Sequence, residues 1–590
     1  MVLDLRLYRV TLLPFAVLLI VAAFSLHAPP GTPATAPPAQ TFDATTAASV
    51  MSRLAASYPD RSPGSAGDDA LAAALARPGG RYTLADPGVS VRVVNSSVET
   101  TAGAVTVRTV LASRAGAAGG AGIALIADRG GSAAGAAALA PTATLLELAS
   151  IYSDLLPQRP LTLVSTSGGA SAMGAVAALL PADTEAAIVI GDVTDASGRG
   201  PYVVPWSAGG ALAPIQLRRT VEAAVAFALS RSVPDPGLTE QMARIALPLT
   251  AGAQGLLDGA GVPAVLVSAD GESPAPAAAA RPDVGLMGEF GQALLGATTA
   301  LDGFSTLPTT PTRDLAFGTQ VLSGWAVRAV IGALLLSLIG CTLDVLARAR
   351  RRRIAVARWG GRTLSFAAPF LLAGLFAAFL GAGGLLPATP AAAVTPAQLP
   401  ISGEGAAALV SIGLLFVLAW VLRAAAVARA GRSEAPDPVG ATVTLLILAS
   451  VTGTLLWLEN PYTATLLILP AHLWLVALTR EHERPPALGA LCVVISLAPF
   501  AAALALICSV LHIEPFALLW TTVLLIAGGG ISATGLVLAS LTAGSFAAAA
   551  ALLLRRATID PAQRVEVTVR GPLSYAGPGS LGGTESALRR

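Results

Sequence analysis

The chain has 590 residues, of which 54% are hydrophobic and 12% are charged, and its mean hydropathy is +0.69. Soluble domains carry about twice that charged fraction, so we expect much of this chain to contact lipid. The net charge is +2, and every basic residue is an arginine. This balance lacks the strongly basic character of nucleic-acid-binding proteins, so no nucleic-acid partner is expected.

The first apolar run covers residues 10–27 and is long enough to cross a membrane. Arg6 and Arg9 precede it, which is also the pattern of a signal peptide. The Pro/Ala/Thr segment that follows offers no small-x-small cleavage site before a non-proline residue. We therefore predict an uncleaved transmembrane anchor, with residues 1–9 in the cytoplasm and residues 28–40 as an extended linker.

Residues 41–315 contain short apolar runs that are punctuated by Gly, Pro, Asp and Ser. Six runs have the composition of strands: 89–95, 104–113, 122–128, 161–166, 186–192 and 263–269. Ala-rich helical patterns separate several of them: 46–57, 66–76, 141–155, 170–180, 216–230 and 286–302. Strands that alternate with helices predict an α/β domain whose sheet is covered by helices on both faces.

Long apolar segments return over residues 321–554 and predict a bundle of about seven further transmembrane helices. We place these spans at about 321–346, 364–386, 406–428, 438–458, 462–479, 486–511 and 531–554. The stretch 516–527 precedes three glycines and is predicted to be an interfacial or re-entrant piece.

The distribution of arginine predicts the orientation of the spans. Arginines cluster in segments that fall on one side of the membrane: residues 6–9, 348–362, 429–432, 480–484 and 555–556. The loop 387–405 on the other side has no arginine. The positive-inside tendency therefore predicts eight spans in a plasma membrane, with residues 28–320 outside the cytoplasm. Both termini are then cytoplasmic, and residues 555–590 form a polar tail.

Cysteine and histidine usage limits the chemistry of the α/β domain. The three cysteines lie in hydrophobic runs outside it: Cys341, Cys492 and Cys508. The four histidines are His27, His472, His482 and His512, so none lies between residues 28 and 471. Catalytic zinc sites nearly always include histidine. We therefore expect no disulfide framework, no cofactor and no zinc peptidase activity in this domain.

Three stretches of the domain nevertheless resemble the zinc aminopeptidase superfamily, which also contains transferrin-receptor-like and glutaminyl-cyclase-like domains. RSPGS at 61–65 resembles the opening Arg-Pro-Gly-Ser motif of that superfamily. Residues 142–166 resemble the helix and strand that follow its metal-bridging aspartate, and residues 253–272 resemble its late Gly-Ile-Pro-Ala strand segment. The resemblance covers roughly residues 45–305 and implies a mixed sheet with helices on both faces.

The order of segments is also similar to that of multi-pass bacterial membrane proteins with an aminopeptidase-like domain outside the cytoplasm. The metallopeptidase-like subunit of the eukaryotic GPI transamidase has the same plan of one span, a lumenal peptidase-like domain and a helical bundle. This resemblance implies a membrane protein of peptidase or transamidase type.

The superfamily resemblance also implies a two-zinc site, but this sequence departs from it at the ligand positions. The strand end that would carry His-x-Asp is IADRGG at 126–131, which has no histidine. The bridging aspartate falls near Ala137, and the Glu-Glu pair falls on Gly168 and Gly169. Asp192 matches the next aspartate ligand, and the last histidine ligand has no counterpart. These departures from the superfamily pattern predict a catalytically inactive relative.

Polar residues at the predicted strand ends outline a possible cleft: Asp128, Arg129, Ser167, Asp192 and Asp195. Aspartates at strand ends more commonly cap turns, and both interpretations stay open. The Gly-rich segment 165–174 lacks the patterns of a serine nucleophile elbow and of a dinucleotide-binding loop. Its amides would receive an anion or a chain terminus, or its glycines would allow tight packing of strand against helix.

Glu459, Asn460 and His472 form a possible polar site in the bundle, because polar groups at membrane depth are costly and often functional. Glu459 and Asn460 are expected in a wetted turn at the outer membrane edge. His472 lies near Pro470 in an apolar run, where an interhelical hydrogen bond is expected and a catalytic or transport role is the alternative.

The leading hypothesis from the sequence is an inactive membrane peptidase relative that binds or scaffolds a peptide or protein partner in the cell envelope, in contact with membrane lipid. The second hypothesis is an enzyme or transferase subunit whose chemistry lies between the bundle and the α/β domain. A transporter ranks last, because the sequence has no repeated half and no charged pathway across the bundle.

Overall fold

The computed structural model describes most of the chain. The described residues are 4–29, 31, 40–101, 103–130, 135–194, 200–272, 282–304, 310–387, 393–396, 398–429, 438–479 and 486–557. Several features of the sequence analysis lie outside the described residues: Asp195, Arg432, His482, most of the 28–40 linker, the segment 480–484 and the tail beyond residue 557.

Two consecutive helices form the N-terminal apolar segment, α1 (Leu5–Thr11) and α2 (Leu13–Phe24). The carboxylate of Asp4 caps α1 by accepting hydrogen bonds from the amides of Arg6 and Leu7. Pro14 stands in the first turn of α2, where the backbone amides have no partner within the helix, so its missing amide hydrogen costs no hydrogen bond. The same proline ends the preceding helix α1.

The α/β domain and a following hairpin contain eight helices and nine strands in the part of the chain that is described. The helices are α3 (Ala44–Ser57), α4 (Ala66–Leu75), α5 (Ala140–Ser153), α6 (Met173–Leu179), α7 (Ile215–Leu229), α8 (Leu238–Ala246), α9 (Gln254–Gly259) and α10 (Val284–Asp302). The strands are β1 (Val89–Thr100), β2 (Gly103–Arg114), β3 (Gly122–Asp128), β4 (Leu161–Thr166), β5 (Thr184–Ile190), β6 (Tyr202–Val204), β7 (Ala264–Ser268), β8 (Leu315–Phe317) and β9 (Gln320–Leu322).

Strands β1 to β7 form one mixed sheet in the order β1-β2-β4-β3-β5-β7-β6. The four neighbouring strands β4, β3, β5 and β7 are parallel, and β1, β2 and β6 are antiparallel to their neighbours. One face packs against α3, α4, α5, α7 and α10, and the other packs against α6, α8, α9 and further helices of the chain. Coverage on both faces explains why the parallel strands are buried along almost their whole length.

The six strands and six helices that the sequence predicts for this domain are all present, with shifted ends. The prediction missed β6, which has three residues, and the helices α8 and α9, which have nine and six. β6 and α9 are too short to show a period, and α8 is amphipathic but has only nine residues, so packing against the rest of the fold defines these segments.

The remaining helices form a bundle. They are α11 (Gly324–Arg351), α12 (Val356–Leu364), α13 (Ala368–Ala382), α14 (Gly403–Val427), α15 (Pro438–Glu459), α16 (Pro461–Thr479), α17 (Pro486–Val510), α18 (Pro515–Ala527) and α19 (Ala533–Ala557). Eight helical segments in the described part of the chain are long and apolar enough to span a membrane, which is the number that the sequence predicts. The first combines α1 with α2, and the third combines α12 with α13.

The α/β domain packs directly on one end of this bundle, which we name the domain end. Asn460 donates a hydrogen bond of 2.7 Å to the carbonyl of Ile245, and Thr463 donates one of 2.6 Å to the carbonyl of Ala246. These carbonyls belong to the last turn of α8, where no intrahelical donor remains for them. The bundle therefore completes the hydrogen bonding of a domain helix.

Helix α18 lies at the domain end. Leu518 packs with Ala251 of the domain and with the last turns of α17. Trp520 and Thr521 donate hydrogen bonds to the carbonyls of Leu399 and Val394, which precede α14. All of these partners lie at the same end of the bundle.

The N-terminal segment is attached to the bundle at both of its ends. Asp4 forms an ion pair of 3.2 Å with Arg348, near the end of α11. At the domain end, the backbone of His27 pairs with that of Val321, through hydrogen bonds of 3.2 and 2.8 Å. The entry into α11 therefore lies beside the exit from α2.

Candidate functional site at the carboxyl ends of the parallel strands

The candidate site lies where β3, β4 and β5 end. In the sheet, β4 lies on one side of β3 and β5 lies on the other side, so the chain reverses its direction across the sheet after β4. α/β folds bind ligands in the crevice at such a reversal of strand order. We name the three segments that follow these strands, 128–130, 167–169 and 192–194, the strand-end site. Every predicted cleft residue that is described belongs to it.

Arg129 is fully buried and turns away from the cleft. Its Nε donates to Oδ1 of Asp68 at 2.8 Å, and its two Nη atoms donate to the carbonyls of Ser165 and Arg108. Ser167 donates from Oγ to the second oxygen of Asp68 at 2.6 Å. Two of the predicted cleft residues are therefore held in an internal network and present no polar group to a ligand.

Asp68 is the centre of this network, and the RSPGS motif positions it. Gly64 has a φ of +75°, and a Cβ there would lie 2.9 Å from the carbonyl oxygen of Thr106, so glycine is required. Ser65 then caps α4 by accepting from the amide of Asp68 at 3.1 Å. Sequence analysis missed Asp68, although Ser-x-x-Asp before a helix is a capping-box signal.

Asp128 is the partly exposed carboxylate of the strand-end site. Its Oδ1 accepts a hydrogen bond of 3.1 Å from the amide of Gly130. Burial raises the pKa of Asp128 to about 6, against the lowering effects of the Gly130 amide, of Arg129 and of the Gly169 amide. Its charge therefore changes in the range where proteins function.

The Gly168–Gly169 turn packs closely against Asp128. Both glycines have left-handed backbone angles, with φ of +99° and +58°. A Cβ on Gly169 would lie 3.7 Å from Oδ2 of Asp128. A carboxylate in this position disfavours a second anion beside it. The site thus suits a cation or a neutral donor better than the anion considered for this loop.

Asp192 caps its own turn. Its Oδ1 accepts from the amide of Thr194 at 2.8 Å and from the hydroxyl of Thr194 at 2.9 Å. This is the turn-capping arrangement that aspartates at strand ends commonly adopt.

The residues of the strand-end site do not fit the two-zinc centre that the resemblance implies. Within the described ranges, no three side chains of His, Cys, Asp or Glu come close enough to hold a metal ion. Ala137 lies in a single helical turn at Ala136–Leu139, and Gly168 and Gly169 offer no ligand atom. The carboxylates of Asp128 and Asp192 are engaged by the loops that carry them.

A second polar cluster lies between the sheet and the bundle. Arg244 of α8 forms a buried ion pair with Glu272, and its guanidinium lies 5.0 Å from the ring centroid of Trp206. Glu272 also accepts from Thr250 at 2.7 Å, and Gln254 donates to the carbonyl of Trp206 at 3.0 Å. Sequence analysis missed this cluster, because its members come from separate segments with no shared pattern.

Glu459, Asn460 and His472 do not form one site. Asn460 is buried, because the α/β domain covers it, and the prediction of a wetted turn is wrong for this residue. The side chain of Glu459 is exposed. His472 lies about 17 Å further along α16, and its ring nitrogens contact the Tyr8 hydroxyl at 3.2 Å and the Leu334 carbonyl at 3.1 Å.

No protein-family model matches the chain, and no curated protein matches it. Solved structures similar to part of it include a glutaminyl cyclase from an Acidobacteriales bacterium, which covers 46% of this chain and 97% of its own at 14% identity and a TM-score of 0.32. A leucine aminopeptidase precursor from Bacteroides thetaiotaomicron covers 44% and 98% at 13% identity and a TM-score of 0.33. A Zn-dependent exopeptidase from Parabacteroides distasonis covers 44% and 99% at 15% identity and a TM-score of 0.31.

Proposed function

We propose that this chain is a membrane-embedded, catalytically inactive relative of zinc aminopeptidases whose α/β domain binds a peptide or protein partner. The observation that carries the proposal is the absence of both His and Cys from residues 28–340, which include the whole domain. Catalytic zinc in this chemistry needs histidine ligands. The motif at 61–65 that resembles the superfamily positions the structural ion pair of Asp68 with Arg129.

Asp128 is the group that we assign to ligand binding. It is partly exposed, and its hydrogen bonds come from backbone amides of its own site. A protonated amino group complements such a carboxylate in charge and in hydrogen bonding. The proposed ligand is therefore a peptide or protein whose free amino terminus enters the crevice at the strand ends.

In the proposed topology, the domain end of the bundle faces away from the cytoplasm. Arginines gather at the opposite end, which we name the far end. There the last turn of α11 carries Arg348, Arg350 and Arg351, and the ion pair with Asp4 brings the N-terminal segment to the same end. The positive-inside tendency assigns this end to the cytoplasm, and the α/β domain to the cell envelope.

The experiment measures binding of two fluorescent tetrapeptides of one sequence to the purified full-length protein. One peptide has a free amino terminus and the other is N-acetylated. We expect the free peptide to bind more tightly, without turnover, and most tightly between about pH 6 and 8. Above the Asp128 pKa of about 6 the carboxylate is charged, and the peptide amine stays protonated up to about pH 8.

Asp128→Asn should abolish the preference for the free amine. Asp183→Asn is the matched control, because Asp183 is exposed at the opposite edge of the sheet, before β5. Hydrolysis of the peptide by protein supplied with zinc would overturn the inactive assignment. Equal affinity for the two peptides would overturn the role given to Asp128.

The alternative is a subunit of a transamidase-like membrane enzyme with chemistry between the domain and the bundle. The observation that favours it is the Arg244–Glu272 cluster, which lies between the sheet and the bundle helices. In this alternative, Glu272→Gln would abolish activity of the assembled enzyme while leaving the protein folded. Loss of folding in Glu272→Gln would instead identify the cluster as structural.

A further inference from the structure

The helix α11 ends at the far end of the bundle in four consecutive arginines. We name residues 350–353 the arginine turn. All four side chains are exposed. By contrast, Arg348 in the preceding turn pairs with Asp344 at 2.8 Å and with Asp4 at 3.2 Å. Throughout the described chain, no side chain of the arginine turn takes part in an ion pair or a side-chain hydrogen bond.

The backbone of the arginine turn is fixed. The amide of Ile354 donates to the carbonyl of Ala349 at 3.0 Å, as in a helix C-terminus that closes with a left-handed residue. Ile354 packs against the buried residues Val345, Ala349 and Val443. The apolar residue after the turn is therefore anchored in the bundle, and the four arginine side chains are directed outward.

Arg353 has a φ of +54°, in the left-handed region. Glycine is the usual residue at this position after a helix, because a Cβ is unfavourable there. An arginine is therefore kept where glycine would give a more stable turn. Such a choice is typical of a residue whose side chain serves a function.

In the proposed topology, the length of α11 brings the arginine turn to the depth of lipid headgroups. Helix α11 has 28 residues and is about 42 Å long, which exceeds the roughly 30 Å of a hydrocarbon core. The amphipathic helix α12 follows at once, with Trp359 buried and in close contact with Gly440. The turn is thus enclosed between two helices that belong to membrane-spanning segments.

We propose that the arginine turn binds the phosphate of an anionic phospholipid. The guanidinium group offers paired N–H donors that match phosphate oxygens, and within the described ranges these four arginines pair with no carboxylate. The positive-inside tendency explains why arginines stand at this end. It does not explain a rigid turn that keeps four of them exposed, nor arginine in a left-handed position.

The test uses full-length protein in neutral detergent. Phosphatidylglycerol and phosphatidylcholine with the same acyl chains are titrated separately, and bound lipids are counted by native mass spectrometry. We expect retention of phosphatidylglycerol over phosphatidylcholine. Replacing residues 350–353 by glutamine should weaken that retention by roughly fivefold for each arginine removed. The same change at four exposed arginines of the α/β domain is the control: Arg53, Arg77, Arg81 and Arg231.

Arg353→Gly separates binding from folding. It relieves the left-handed backbone, so the variant should melt at the same temperature or higher, while retaining phosphatidylglycerol about fivefold less well. A structural role alone would leave lipid retention unchanged in this variant. Arg353→Lys should keep most of the retention, because it keeps the charge.

Three results would overturn the proposal. The first is equal retention of the two lipids by the unmodified protein. The second is full retention of phosphatidylglycerol by the variant that lacks all four arginines. The third is displacement of the lipid by an equal concentration of soluble glycerol phosphate, or tighter binding of RNA, which would identify a ligand other than a lipid.

Discussion

Replacement of Asp68 by asparagine tests the buried network of the strand-end site. Asp68 and Arg129 have side chains that are 0% exposed, and the bond between them is 2.8 Å long. The variant leaves a buried guanidinium without its counter-charge, which costs about 3–5 kcal/mol. For a domain of roughly 250 residues this corresponds to a melting temperature lower by about 10 °C.

The neighbouring residue supplies a matched control. Asp69 pairs with Arg108 at 3.1 Å, but these side chains are 33% and 40% exposed. Asp69→Asn removes the same charge from the same helical turn and should cost less than about 1 kcal/mol. Unfolding of the α/β domain is followed by pulse proteolysis of the full-length protein over a temperature series. Melting of both variants within 2 °C of each other would refute our account of the network.

Three further predictions concern single buried groups. Asp258→Asn should stabilise the protein, and more so as the pH rises above about 4. Burial raises the pKa of Asp258, so the unfolded chain releases this proton at a lower pH than the folded protein does, and the wild-type folded state loses stability as the pH rises; melting curves between about pH 4 and 8 check this. Asn460→Ala should lower the free energy of unfolding by about 1–3 kcal/mol and make α8 more accessible to protease, because the buried Ile245 carbonyl loses its donor. Glu459→Ala is the control and should change neither the stability nor the protease cleavage. His472→Phe should loosen the N-terminal helix, seen as faster hydrogen exchange of the α1 amides, and unchanged exchange would show that the Tyr8–His472 contact contributes nothing.

The sequence predicts the elements of this fold well where the pattern is long. The parallel strands are short, mostly apolar runs bounded by polar residues and glycines, and the predicted spanning helices are long apolar segments, so both stand out from their surroundings. The order of the strands in the sheet cannot be predicted from these apolar runs. It depends on crossover connections, and the antiparallel strand β6 pairs only because β7 lies beside it.

The sequence predicts which polar residues line the site, but not the direction in which their side chains point. The sequence places Asp128 and Arg129 side by side after β3. Only the fold decides that Arg129 turns inward to Asp68 while Asp128 remains half-buried at the strand-end site. The partner of Arg129 is 61 residues earlier in the chain, a separation at which sequence spacing carries no information about contact. The Arg244–Glu272 pair escaped prediction for the same reason.

The pairing of His27 with Val321 makes the α/β domain an insertion between two adjacent helices. Residues paired in this way have Cα atoms about 5 Å apart, a gap that a two-residue turn closes. Excision of residues 28–320 would therefore leave a helical hairpin of α2 and α11 with its contacts intact. Domains whose termini lie close together are the ones that transfer between hosts. The connection between α2 and α11 therefore does not depend on the presence of the domain.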